Sequence, residues 1–174
     1  MLAVLLFSLG HFTVDLYSSG LASLQPLLVS KLQFSLTQAG FLAGLLVLSS
    51  SLLQPLYGYL SDRYHSSLFT ILAPAVAGVF MSALGLAPSY LWLLPLAFLG
   101  GAGVAAFHPQ ASARVAGVVE EKQGGAMSLF VSAGTLGCAC GPLFFSMVAG
   151  RFGLAGLHWG ASLGVMVSLL LIST

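Results

Sequence analysis

From Leu2 to Ile172 one long apolar run follows another, interrupted only by clusters of a few polar residues. A bilayer core about 30 Å thick is crossed by about 20 apolar residues of helix, and in lipid the backbone must satisfy its own hydrogen bonds. The polar clusters divide the 174 residues into six candidate helices, about 2–30, 36–61, 68–87, 90–118, 126–149 and 154–173. Between them lie short loops: Lys31 to Ser35, Ser61 to Ser67, Ala87 to Ser89, Val119 to Gly125 and Gly150 to Gly153. The expected fold is therefore all-α. It is a polytopic six-transmembrane-helix bundle, one domain over 1–174, with no length left for a domain outside the membrane.

Charge excludes the alternatives. Only 5% of the residues are charged, against about 25% in an ordinary soluble domain, so no water-facing surface of this size can be coated. A net charge of +1 offers no basic field for nucleic acid. The first run lacks a basic n-region and stays apolar beyond the roughly 7–15 residues of a signal-peptide core, so it reads as a span. Because loops alternate sides, Arg63, Arg114 and Lys122 share one side, and Lys31 and Arg151 the other. The positive-inside rule puts the first set, and both termini, in the cytoplasm.

Lipid supplies no hydrophobic drive between helices, so close approach at small residues spaced four apart is the association signal. Gly40 and Gly44, then Ala133, Gly137 and Gly141, then Gly156, Gly160 and Gly164 carry it. Cys138 and Cys140 are two apart, about 200° around a helix. They read as small packing residues and carry no information on compartment.

Chemistry concentrates on helices one and four. His11 and Asp15 share a helix face, roughly 15 and 21 Å from the start at 1.5 Å per residue. A charge at that depth costs at least about 2.5–3.5 kcal/mol, so Asp15 must face protein or a watery cavity. On helix four, Gly100, Gly101 and Gly103 precede Phe107, His108 and Pro109. Pro109 has no N–H for the carbonyl of Ala105, which predicts a kink beside His108. His108 lies about 9 Å from Arg114, near the depth of His11. Imidazole gains and loses protons near neutrality, so the two histidines and Asp15 can carry protons. With Arg114 at the mouth they can also attract a small anion such as a phosphonate. A structural His–Asp pair is the competing reading.

The run from Gln54 to Arg63 resembles the signature loop between helices two and three of the major facilitator superfamily, GxLxDR, with Gly58, Leu60, Asp62 and Arg63 on the pattern. His65, Ser66 and Ser67 stand where that family usually has a glycine followed by basic residues. Gly137, Gly141 and Pro142 resemble the GxxxGP core of the antiporter motif on helix five, with Ser128, Phe145 and Ser146 in place of its flanking glycines. Within that superfamily, HFTVDLYSSGLASLQPLL at His11 to Leu28 and AFHPQASARVAG at Ala106 to Gly117 resemble the fosmidomycin-resistance drug exporters.

The resemblance implies proton-coupled efflux of a small molecule or antibiotic across a bacterial inner membrane, without metal or cofactor. His11, Asp15, Tyr17, His108, Pro109, Gln110 and Arg114 then belong to the cavity lined by helices one and four. It also implies twelve helices in two halves, each a 3+3 inverted repeat. This chain would be the N-terminal half, its partner a missing C-terminal half or a second copy.

Two other classes compete. Gly160, Ser162 and Gly164 match GxSxG, and His158 lies one turn before Ser162, as an intramembrane hydrolase would need. A nucleophile elbow requires a strand, a turn and a helix, however, and this serine falls mid-helix. A non-transporting scaffold or the remnant of a truncated gene is the other, since helix ends without tails at Met1 and Thr174 suit a fragment.

Overall fold

The computed structural model describes every residue except His65, 119–122 and Thr174. Lys122, one of the cations on the expected cytoplasmic side, and His65, a departure from the signature loop, therefore lie outside the described residues. The described chain is helical, with α1 Leu2–Leu32, α2 Leu36–Tyr64, α3 Leu68–Ala83, α4 Tyr90–Val118, α5 Gln123–Phe152 and α6 Ala161–Leu171. A 3₁₀ turn, Leu84–Leu86, extends α3, and a 3₁₀ segment, Ala155–Gly160, leads into α6.

The helices run further into the polar clusters than the apolar pattern alone suggests, because polar ends in contact with water still propagate a helix. Arg63 sits in the last turn of α2, where a cation complements the helix dipole. Helix ends are set by local chemistry. Gln33 closes α1 in the left-handed region at φ 53, its N–H donating to the carbonyl of Val29, as a C-cap does. Ser35 and Gln38 form a reciprocal capping box at the start of α2: the Ser35 N–H donates to Gln38 Oε1 at 2.8 Å, and the Gln38 N–H to Ser35 Oγ at 3.2 Å. Gly153, at φ 70, ends α5.

Among the described residues five helices are long and apolar enough to cross a membrane, and the sixth apolar stretch, Ala155–Leu171, is shorter. Its 3₁₀ half rises about 2.0 Å per residue and its α half about 1.5 Å, so the stretch spans about 28 Å, close to a full hydrocarbon core. One side chain marks the junction between the two halves. The hydroxyl of Tyr17 donates to the carbonyl of Gly160 at 2.6 Å and accepts from the N–H of Gly164 at 2.8 Å. Those are the two groups that an unbroken α-helix would join directly, and a side chain inserted into that ladder is a recognised cause of helix irregularity.

Packing pairs α1 with α5 and α2 with α4, while α3 lies against both α4 and α6. Exchanging α1–α3 for α4–α6 turns the first pair into the second and leaves α3 with α6. That is the exchange symmetry of two three-helix repeats. The α1–α5 contact is backbone-close: a Cβ at Gly137 would overlap the carbonyl of Phe12, and one at Gly141 the carbonyl of Leu16. The helix-five glycines of the motif are thus the surface on which α1 rests. Lys31 fastens the end of α1 to the end of α3, its Nζ donating to the carbonyls of Gly85 at 2.9 Å and Ala87 at 3.2 Å.

Candidate functional site

Three helices bring the deep polar residues to one point. From one turn of α1 to the next, His11 and Asp15 project toward α4 and α5, and His108 on α4 faces them. Asp15 stands between the two imidazoles, Oδ2 at 3.2 Å from Nε2 of His11 and Oδ1 at 3.2 Å from Nε2 of His108. Side-chain exposures of 10%, 15% and 22% for His11, Asp15 and His108 leave the cluster largely desolvated yet open at one side.

Each ring is fixed by a backbone carbonyl on its other nitrogen. His11 Nδ1 lies 2.8 Å from the carbonyl of Phe130, and His108 Nδ1 lies 2.8 Å from that of Val104. A carbonyl only accepts, so Nδ1 carries the proton in both rings, and both Nε2 atoms face the carboxylate. The rings meet edge to face with centroids 5.0 Å apart, and His11 also stacks on Phe130 at 4.2 Å. Both imidazoles are thereby held in place by α5 and α4 before any ligand arrives.

Room for this cluster depends on Gly134. A Cβ there would fall 2.5 Å from His11 Nε2 and 2.7 Å from Asp15 Oδ2. The four-residue spacing puts the helix-five stripe on Ala133, Gly137 and Gly141. The signal that identifies Gly134 is its position one turn before Gly137 and Cys138, on the face the two motif glycines already define. Cys138, read as a packing residue, is exposed, and its thiol lies beside Asp15 and Ser18.

The other expected cavity residues disperse. Tyr17 is fully buried and, instead of facing the cluster, braces the junction of α6; the physical reason is that two residues beyond Asp15 rotate the side chain about 200° around α1. Gln110 points toward α3: it accepts from the hydroxyl of Thr70 and donates from Nε2 to the carbonyl of Ser66 at 2.7 Å. It therefore ties α4 to the segment that follows the signature loop. Pro109 faces α2, where a Cβ at Gly58 would lie 3.6 Å from it. α4 continues through Pro109, and the carbonyl that His108 engages is that of Val104 rather than Ala105. Arg114 lies over the ring of Phe7, 6.0 Å from its centroid, one helical turn from His11 and about 6 Å further along α1. At the end of α2, Leu60 is half-buried while Asp62 and Arg63 are exposed. Pro142 is half-buried beside Gly141.

A cavity of about 520 Å³ lies elsewhere, between α2, α3 and α4, walled by residues such as Tyr57, Phe69, Leu72 and Val76, and includes no member of the cluster. The hydrolase constellation does not assemble. Ser162 Oγ donates to the carbonyl of Trp159 at 2.7 Å, and His158 Nδ1 lies 2.6 Å from the carbonyl of Ala155. Each is thus engaged by its own helix turn, and no triad geometry links them.

Comparison with known proteins gives one consistent picture. The sequence pattern of the Major Facilitator Superfamily matches residues 7–174. The chain is 34% identical over 155 residues to the fosmidomycin resistance protein of Escherichia coli K12, covering 87% of this chain and 37% of that protein. It is 30% identical over 150 residues to the multi-drug resistance efflux pump PmrA of Streptococcus pneumoniae, covering 83% and 37%. Over 166 residues it is 26% identical to the MFS-type transporter YfnC of Bacillus subtilis, covering 94% and 41%. The chain therefore spans about two fifths of the length of these relatives.

Proposed function

Since the chain belongs to the major facilitator superfamily and is a multi-pass membrane protein, we propose that it is the N-terminal six-helix half of a proton-coupled exporter of a small molecule. The fosmidomycin and multi-drug types named for its relatives are the substrate classes to try first. The observation that carries this reading is Asp15 held between the Nε2 atoms of His11 and His108 at 3.2 Å each. With both Nδ1 protons committed to carbonyls, each Nε2–carboxylate contact becomes a hydrogen bond only when it gains a proton. The cluster is thus a seat for protons in a poorly solvated place, where an uncompensated charge is expensive.

Protons entering the seat turn the net charge from negative to positive, and the site then attracts a small anion, with Arg114 one turn outward as the entry cation. Alternating access follows from rocking two six-helix units around a midplane site. One unit alone has nothing to rock against, so function needs a second half, either in the same polypeptide or as a second copy. The signature loop of Gly58, Leu60, Asp62 and Arg63, together with the α1–α5 seam at Gly137, Gly141 and Pro142, supplies the hinge surfaces. We place the protein in the bacterial inner membrane with both termini cytoplasmic.

The test is uptake into proteoliposomes of the active two-half protein under an imposed pH gradient. Asp15→Asn abolishes uphill transport while substrate exchange persists, and His108→Gln shifts the pH optimum. Undiminished gradient-driven transport by both variants overturns the coupling role. Saturable transport by a demonstrated monomer of these 174 residues overturns the requirement for a second half.

A further inference from the structure

The same cluster has the donor set of a metal site. We infer that His11, Asp15 and His108 bind one divalent transition-metal ion of the zinc type. This inference concerns the side chains alone and stands whether or not the protein moves protons.

The argument is one of lone pairs. Both Nδ1 atoms donate to carbonyls, of Phe130 and Val104, so with neutral rings the two Nε2 lone pairs and the carboxylate oxygens converge with nothing between them. The three donor atoms lie within 4.8 Å of one another. Around a tetrahedral ion with bonds of about 2.0–2.2 Å, donors sit about 3.4 Å apart. Each imidazole nitrogen already lies near that spacing from one carboxylate oxygen, Oδ2 for His11 and Oδ1 for His108, at 3.2 Å each, so a small rotation of the carboxylate and closure of a gap of at most 4.8 Å between donors complete the set. The carbonyls on Nδ1 are also what metal-binding histidines ordinarily require: an acceptor behind the ring that fixes its tautomer and orientation.

Chemistry selects the ion. Two imidazoles and one carboxylate suit zinc, cobalt, nickel or copper. Magnesium and calcium need six or more oxygen donors, and this site offers a single carboxylate. Three protein ligands with one side open leave a position for water or an anion. The exposed thiol of Cys138 beside Asp15 is not needed for the donor set, and the experiment separates the two.

Zinc chloride is titrated calorimetrically into the tag-free protein in lipid nanodiscs near pH 7.5, and magnesium chloride is titrated in parallel. The expected result is one saturable equivalent of zinc and no magnesium binding. Cobalt in place of zinc gives visible absorption bands of a low-coordinate site. Asp15→Asn and His108→Gln each weaken zinc binding by at least ~10-fold, whereas His158→Gln and Cys138→Ser leave it within twofold. The inference is overturned if the unmutated protein shows no saturable equivalent, which needs no variant to fold. It is equally overturned if Cys138→Ser abolishes binding, if magnesium binds comparably, or if folded Asp15→Asn and His108→Gln proteins, with unchanged circular dichroism, bind as before.

Discussion

Replacing Gly134 by alanine adds one carbon at the tightest point of the cluster. Its Cβ would fall 2.5 Å from His11 Nε2 and 2.7 Å from Asp15 Oδ2, whereas carbon contacts settle at about 3.5–4.0 Å. Roughly 1 Å must be found. The His11 ring cannot turn aside without breaking its hydrogen bond to the Phe130 carbonyl, and Asp15 is wedged between the two imidazoles at 3.2 Å each. The alternative is for α5 to back away from α1, which the close approach of Gly137 and Gly141 resists. Overpacking of this kind costs about 1–3 kcal/mol. At Gly44 nothing lies within 4 Å of an added Cβ, and alanine there is favoured by about 0.5–1 kcal/mol for helix propensity alone. Both glycines lie inside helices, so that gain is common to the two, and the alanine variants of the 174-residue chain should differ by the overpacking cost, about 1–3 kcal/mol, with Gly134→Ala the less stable. Thermal or denaturant unfolding in one detergent, followed by far-ultraviolet circular dichroism, reads that difference. Equal stability of Gly134→Ala and Gly44→Ala would show that the α1–α5 seam yields freely, and would refute the claim that it holds the cluster rigid.

Tyr17→Phe removes the hydroxyl between Gly160 and Gly164; it should cost about 0.5–1.5 kcal/mol and speed amide exchange at Gly164, and unchanged exchange would mean the helix junction does not depend on that bridge. Lys31→Met unpins α1 from the end of α3, with an expected loss of less than about 1.5 kcal/mol because water replaces the ammonium at an exposed end; an effect several times larger in unfolding experiments would contradict this. For topology, single cysteines at Ser66 and Ser89 should react with an impermeant maleimide from opposite sides of the membrane, and labelling from the same side rejects the assigned orientation.

Class and site differ in how far each could be read from residues alone. Continuous apolar runs of bilayer length with nine charged residues leave only a membrane helix bundle, whatever the packing, because the backbone satisfies itself in lipid as helices or closed barrels and barrel strands are short and alternating. The pairing of His11 with Asp15 was legible for a similar reason, since a spacing of four fixes a shared helix face. Depth puts His108 level with His11, but depth along a helix does not determine rotation about it, and the contact of His108 with the other carboxylate oxygen is a tertiary outcome. Tyr17 shows the limit. It lies two residues from Asp15 inside a segment resembling drug exporters, yet it faces the opposite way and stitches α6. Gln110, two residues from His108, likewise turns to Thr70 and Ser66.

What the sequence determined by itself was the solvent, the number of apolar stretches and the side-chain pairs within single helices, all of which follow from local period and transfer energy. Tertiary structure decided which carbonyl stands behind each imidazole, that Gly134 rather than Ala133 makes room for them, and that a tyrosine hydroxyl divides the last helix. Those outcomes depend on how two helices are rotated and translated against each other. That relation is set by the sum of many small packing terms between residues far apart in the chain, here Phe130 and His11, or Tyr17 and Gly160, and no window of sequence contains it.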